Sequence, residues 1–190
     1  METSTKHVKK WVRHLGDLGV QTLHFANVLG GRRYESDRLL VIGTPEFEPW
    51  HFVAHLAEEA KRDHRADLIP TLVRWEVPQG APAHLAVSLS ELSQMTRNQT
   101  LLVVSSCSHS PHLLERVTDA KKRGARIMAV HREDEDLADI SHEMLFVDPL
   151  RDGHDFDLTQ HLITDIATMV ELQEPRRWPR RLRRDVPPVG

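Results

Sequence analysis

The sequence predicts a single doubly wound α/β domain, a mostly parallel sheet flanked by helices, and three observations carry that prediction. Short apolar runs of strand length alternate with longer stretches of helical period, the pattern of strands joined by crossover helices. The runs are continuously apolar, as strands buried on both faces must be. The chain has 190 residues and is 39% hydrophobic, enough for one full core and short for two domains.

The elements follow in order. Residues 5–29 space Val8, Trp11, Val12, Leu15, Leu18, Leu23 and Val28 at mostly helical intervals, with Gly16 and Gly19 between them, which predicts two short helices or one broken helix. Leu39, Leu40, Val41 and Ile42 form a compact strand closed by Gly43. An acidic, proline-marked loop over 44–49 leads into a helix over 50–62. A second strand is predicted over 72–77, and Leu85, Leu89, Leu92 and Met95 predict a helix after the Pro- and Gly-containing stretch 78–82. The clearest unit is the strand 101–104, the polar turn 105–110 and the helix 111–123, with Pro111 at its permitted first position and Gly124 just past its end. Strands over 126–130 and 144–147 follow. A closing helix over 156–174 sets Leu158, Leu162, Ile166 and Met169 on one stripe. There is no internal repeat. The organisation read from this is an N-terminal helical segment 1–35, an α/β domain 36–174 and a basic Pro/Arg-rich tail 175–190.

Charge is distributed unevenly. The tail holds Arg176, Arg177, Arg180, Arg181, Arg183 and Arg184 against Asp185 alone, which leaves 19 of the 25 basic and 27 of the 28 acidic residues to the body. An acidic body repels phosphate backbones, so nucleic acid is not expected as a partner except through the tail. Cys107 is the one cysteine, which excludes an internal disulfide and a cysteine-based zinc cage. No apolar run approaches the roughly 20 residues that span a bilayer, and Met1-Glu2-Thr3-Ser4 lacks a secretory pattern, so a cytoplasmic location without membrane partners is expected.

A parallel sheet presents its strand ends and the following helix N-termini as a shelf for anions. The turn Ser105-Ser106-Cys107-Ser108-His109-Ser110 adds four hydroxyls to that shelf, chemistry that suits a phosphate monoester. Read as local structure alone, Ser110 caps the helix and the other serines fill a polar turn. Cys107 is read as a small packed side chain.

Val104 followed by this turn, then Leu113-Leu114, Gly124-Ala125-Arg126, the strand Ile127 to Val130 and Leu137-Ala138-Asp139, resembles the signature of the SIS, or sugar isomerase, family. The resemblance covers about residues 36–174. It implies that Ser105, Ser106, Ser108 and Ser110 seat a sugar phosphate. Two departures stand beside it: Cys107 and Ser108 occupy positions where serine and glycine are usual, and the loop Gly43-Thr44-Pro45-Glu46-Phe47-Glu48-Pro49 offers two carboxylates where a Gly/Asn/Ser turn is usual. Carboxylates repel phosphate.

His51 and His55 stand four apart on the helix predicted over 50–62, so their imidazoles point the same way and are placed to share a metal. His161 and Asp165 repeat the spacing in the closing helix. Such pairs on amphipathic helices are most often simply solvated. His51-Phe52-Val53-Ala54-His55 is similar to the His-Phe-x-x-Glu helix of the phosphoheptose isomerase branch, with His55 at the glutamate position. By that likeness His51, His55, His161 and Asp165 hold zinc or another divalent metal, and His55 and His161 are the acid-base candidates of an aldose-ketose isomerase.

Two functions stay open. One is a domain that binds a phosphorylated sugar or related anion and isomerises it with metal assistance, and the other is a non-catalytic sensor or structural relative with altered ligand loops. A homo-oligomer, at least a dimer, is expected through the N-terminal helices.

Overall fold

The computed structural model describes residues 16–31, 36–81, 87–106, 110–132, 134–148 and 156–169. Its centre is a five-stranded sheet in which every pairing is parallel: β1 (Arg38–Ile42), β2 (Pro70–Val73), β3 (Gln99–Ser105), β4 (Arg126–His131) and β5 (Glu143–Phe146), in the order β2-β1-β3-β4-β5. The helices are α1 (Gly16–Gly30), α2 (Trp50–Arg62), α3 (Pro111–Lys122), α4 (Glu135–Ile140) and α5 (Phe156–Thr168), with short 3-10 turns at Ala66–Leu68 and Leu89–Gln94.

Alternation along each strand divides the core into two layers. Leu39, Val41, Leu102, Val104, Met128, Val130 and Leu145 face α1, α2 and α5, and they meet Phe25, Phe52, Leu56 and Ile163 there. Leu40, Ile42, Val73, Leu101, Val103, Ile127 and Ala129 face the other way onto Leu113 and Val117 of α3, Leu137 of α4, and Leu92 and Met95. Both faces are covered, which is why the strands read as unbroken apolar runs.

Two expectations need correction, and a third falls partly outside the described residues. Of the pattern read over 5–29 as two short helices or one broken helix, residues 5–15 lie outside the described residues; from Gly16, whose φ is 56°, α1 continues past the buried Gly19 to Gly30. The second strand runs Pro70–Val73 and not 72–77, because its partner β1 ends at Ile42, paired with Val73. Trp75 then leaves the sheet, and its indole N–H donates to the Gly43 carbonyl at 2.9 Å. In place of a helix through Met95 there is the 3-10 turn Leu89–Gln94; residues 82–86 lie outside the described residues. So does the predicted end of the closing helix from 170 onward, and so does the Arg-rich tail.

At the amino edge of the sheet a buried arginine ties the helix layer together. Arg65 makes a two-pronged ion pair with Asp67, at 2.9 and 2.6 Å, and donates to the carbonyls of Gly30 at 2.7 Å and Ala167 at 3.3 Å. These carbonyls end α1 and α5, where the helix dipoles are negative, so the cation satisfies both. Gly30 allows the approach, since a Cβ there would lie 2.1 Å from the Ala167 oxygen.

Candidate functional site

Strand order reverses between β1 and β3, and the carboxyl ends of these two strands are the position where α/β sheets take ligands. Loop 43–49 follows β1 there. It is closed on itself by Thr44 N–H to the Phe47 carbonyl at 3.0 Å and by Phe47 N–H to the Thr44 carbonyl and hydroxyl at 3.2 and 3.1 Å. Gly43 makes this turn possible, because a Cβ would stand 1.9 Å from the Phe47 oxygen. The two carboxylates expected to repel phosphate are not equivalent: Glu48 is locked by two 2.8 Å hydrogen bonds from Arg74, which offsets its charge, and Glu46 is exposed.

Ser105, Ser106 and Ser110 are the described residues of the serine turn after β3. Ser105 ends β3 fully buried, paired in register with His131 of β4, and Ser106 is half-buried. Ser110 is the N-cap of α3: its side chain accepts from Leu113 N–H at 3.4 Å and its carbonyl from the same N–H at 3.0 Å. The capping role read from local structure is therefore present, and a ligand hydrogen bond would be additional to it. Ser108, with Cys107 and His109, lies outside the described residues.

At the end of the neighbouring strand, His131 is buried and its Nδ1 accepts from Asp134 N–H at 3.1 Å, while Asp134 caps α4 by accepting from Leu137 N–H at 2.8 Å. Arg132 lays its guanidinium over the Phe156 ring, 5.1 Å from the centroid, and Phe156 meets Phe47 edge to face at 5.7 Å. Arg132 escaped the sequence reading. It stands one residue past His131 of β4, matching Ser106, one residue past Ser105 of β3.

The histidines gather elsewhere. Helices α2 and α5 pack side by side on one face of the sheet and bring His51, His55, His161 and Asp165 into one groove. The His161 ring lies 5.1 Å from that of His51 and 4.6 Å from that of His55, both edge to face, and His55 Nε2 is 3.9 Å from Asp165 Oδ1. His51, His55 and His161, with Phe52, Asp157 and Gln160, line a small pocket with room for about one water-sized body. Burial holds the Asp165 carboxyl above its ordinary range, against the downward pull of His55 and His161.

The three imidazoles are neighbours, and Asp165 lies beside His55. Their donor types suit zinc, and ring spacings near 5 Å are about those of two imidazoles on one tetrahedral ion with bonds of about 2.0 Å. Yet among the described residues no three His, Cys, Asp or Glu side chains converge as a metal would hold them. The rings lie edge to face, so an ion would have to reorient them. The groove is also on the α2–α5 side of the sheet, whereas Ser110 caps α3 on the opposite side.

No family model matches the chain, and no curated protein matches it in sequence. Solved structures do match in fold. The Vibrio vulnificus NanR protein, complexed with ManNAc-6P, superimposes with a TM-score of 0.53 at 18% identity over 88% of this chain, which spans 60% of the length of that protein. A Methanococcus jannaschii protein, from whose structure a 3-hexulose-6-phosphate isomerase function has been inferred, gives 0.51 at 13% identity over 88% of this chain and 84% of that one. These likenesses show the fold: a SIS-like parallel sheet flanked by helices. Nothing in them singles out the phosphoheptose isomerase branch. Among the described residues no helix is long and apolar enough to cross a membrane.

Proposed function

We propose that this chain binds a sugar phosphate or a closely related anion in the crevice between loop 43–49 and the serine turn. The observation that carries the reading is the placement of Ser105, Ser106 and Ser110 at the carboxyl end of β3, beside the reversal of strand order and at the N-terminus of a 12-residue helix. Hydroxyls and helix-terminal N–H groups there suit a phosphate oxygen. The structural neighbours crystallised with or assigned to phosphorylated sugars support the same ligand class. A sensor or regulatory role is supported by the departures at Cys107 and in loop 43–49, where Glu46 and Glu48 stand in place of a Gly/Asn/Ser turn. The test is calorimetric titration with fructose 6-phosphate and with unphosphorylated fructose: the phosphate is expected to bind and the free sugar not to, and equal failure of both would defeat the reading.

A second reading has its own observation, the gathering of three imidazoles and a carboxylate in one groove. In it His51, His55, His161 and Asp165 hold a divalent ion, which would supply Lewis-acid polarisation of a carbonyl, and His55 or His161 moves the proton of an aldose-ketose isomerisation. It predicts one zinc per chain, lost in His51→Ala and His55→Ala, and affinity that weakens on acidification because only neutral imidazole coordinates. Substoichiometric zinc after equilibration and dialysis would remove this reading and leave the first intact. Self-association through the N-terminal region belongs to either form, and a monomeric mass in sedimentation would refute it.

A further inference from the structure

A phosphate monoester carries close to two negative charges, and the described residues of the turn, Ser105, Ser106 and Ser110, supply hydroxyls and dipoles without a charge. The acidic body makes the question sharper, since any cation at the crevice must come from a specific residue. Among the described residues near the strand ends, Arg74 is already committed to Glu48 through both carboxylate oxygens. Arg132 is not committed. No hydrogen bond or ion pair joins its guanidinium to the described residues, and its Nε is shut off from solvent with no acceptor. Burying an arginine donor in this way is costly, and such a group in a folded protein calls for an explanation.

Its position supplies one. Ser105 and His131 are the last paired residues of β3 and β4, so Ser106 and Arg132 leave the sheet side by side, on strands about 4.8 Å apart. The Phe156 ring holds the guanidinium by a cation–π contact, 5.1 Å from Cζ to the ring centroid, which uses none of the terminal N–H groups. Phe47, from the loop that walls the crevice, buttresses Phe156 in turn. A planar donor fork held by a ring and adjoining a serine turn is suited to an oxyanion.

We infer that Arg132 is the charge partner of the bound phosphate and selects for an anionic ligand at the serine turn. This rests on the proposed binding of a sugar phosphate there, and it adds the residue that sets the charge preference. The terminal nitrogens of Arg132 donate to phosphate oxygens that also accept from Ser106.

The experiment titrates wild type, Arg132→Gln, Arg132→Lys and Ser106→Ala with fructose 6-phosphate and with inorganic phosphate. Arg132→Gln is expected to lose about ten- to a hundred-fold in affinity for both probes, the scale of one charge-assisted contact, and Arg132→Lys to recover part of the loss. Wild-type binding that survives unchanged in Arg132→Gln while Ser106→Ala weakens it would overturn the role of Arg132 and leave the serine turn standing. No binding by wild type would overturn both. Should the glutamine variant fail to fold, the side-chain Nε–H resonance of Arg132 in the wild-type protein gives the same answer: it is expected to move as phosphate is added, and a resonance that stays fixed at saturation overturns the inference.

Discussion

The serine turn is placed by the sheet, whereas the histidine groove is placed by the packing of two helices. Ser105 is the last residue of a strand hydrogen-bonded on both sides, and Ser110 is tied to α3 by its capping bonds, so backbone geometry fixes both ends of the turn. His51, His55, His161 and Asp165 owe their proximity to the apolar seam between α2 and α5, and their side chains touch only through ring edges and one 3.9 Å ion pair. The first region is preorganised for a ligand whose oxygens match backbone and hydroxyl donors. The second holds titratable groups without locking them.

The largest expected effect tests whether the crevice wall is as rigid as this implies. Gly43→Ala places a methyl group 1.9 Å from the Phe47 oxygen and 2.6 Å from Pro49 Cδ, so the loop must open. A stability loss of about 2–3 kcal/mol is expected, together with loss of phosphate binding, read by chemical denaturation and calorimetry. Unchanged stability would mean that loop 43–49 is not closed on Gly43.

Next in size is the cap. Ser110→Ala removes the side-chain acceptor for Leu113 N–H and should cost about 1 kcal/mol, or roughly 2–4 °C in melting temperature for a chain of this length. Ser106→Ala, which removes no capping bond, should leave the melting temperature nearly unchanged and affect only binding. Equal melting losses in the two would break the distinction between cap and ligand hydroxyl.

Smaller again is the pH response of the groove. Because burial raises the Asp165 carboxyl, the folded protein holds that proton to higher pH than the unfolded chain, so this group's contribution to stability falls as pH rises from the ordinary carboxylate range through the raised value. Asp165→Asn should therefore be as stable as wild type or slightly more so at pH 7, by less than about 1 kcal/mol given its partial exposure, and the difference should vanish near pH 3. A clear loss of stability at pH 7 would instead make the His55–Asp165 pair a net stabilising contact.

The smallest effect concerns Glu48. Arg74→Ala frees that carboxylate beside the crevice and should weaken phosphate binding several-fold, more at low salt than at high, because the repulsion is screened. Salt-independent affinity would place the bound anion away from loop 43–49.

What could be read from the sequence divides along the same line. The strand, turn and helix around the serines were legible because each signal is local: the apolar run, the polar turn, Pro111 at the helix start and Gly124, whose φ is 94°, after its end. The end of β2 was not, because Val73, Trp75 and Val77 keep the alternation of a strand while the partner stops at Ile42. His51 and His55 declared their shared face by spacing alone. Their meeting with His161 depends on how α2 and α5 pack, and it was expected only through the family resemblance. Arg132 was missed because a charged residue after a strand looks like any strand end until Phe156, 24 positions later, is seen beneath it.

The central claim is that the anion binds at the strand ends and not in the histidine groove, and backbone amide chemical shifts during titration with fructose 6-phosphate test it most directly. The shifting residues are expected to cluster at 104–106, 110–114 and 131–132 while those around His55 and His161 stay still. Shifts confined to 51–55 and 157–165, with the serine turn silent, would contradict it.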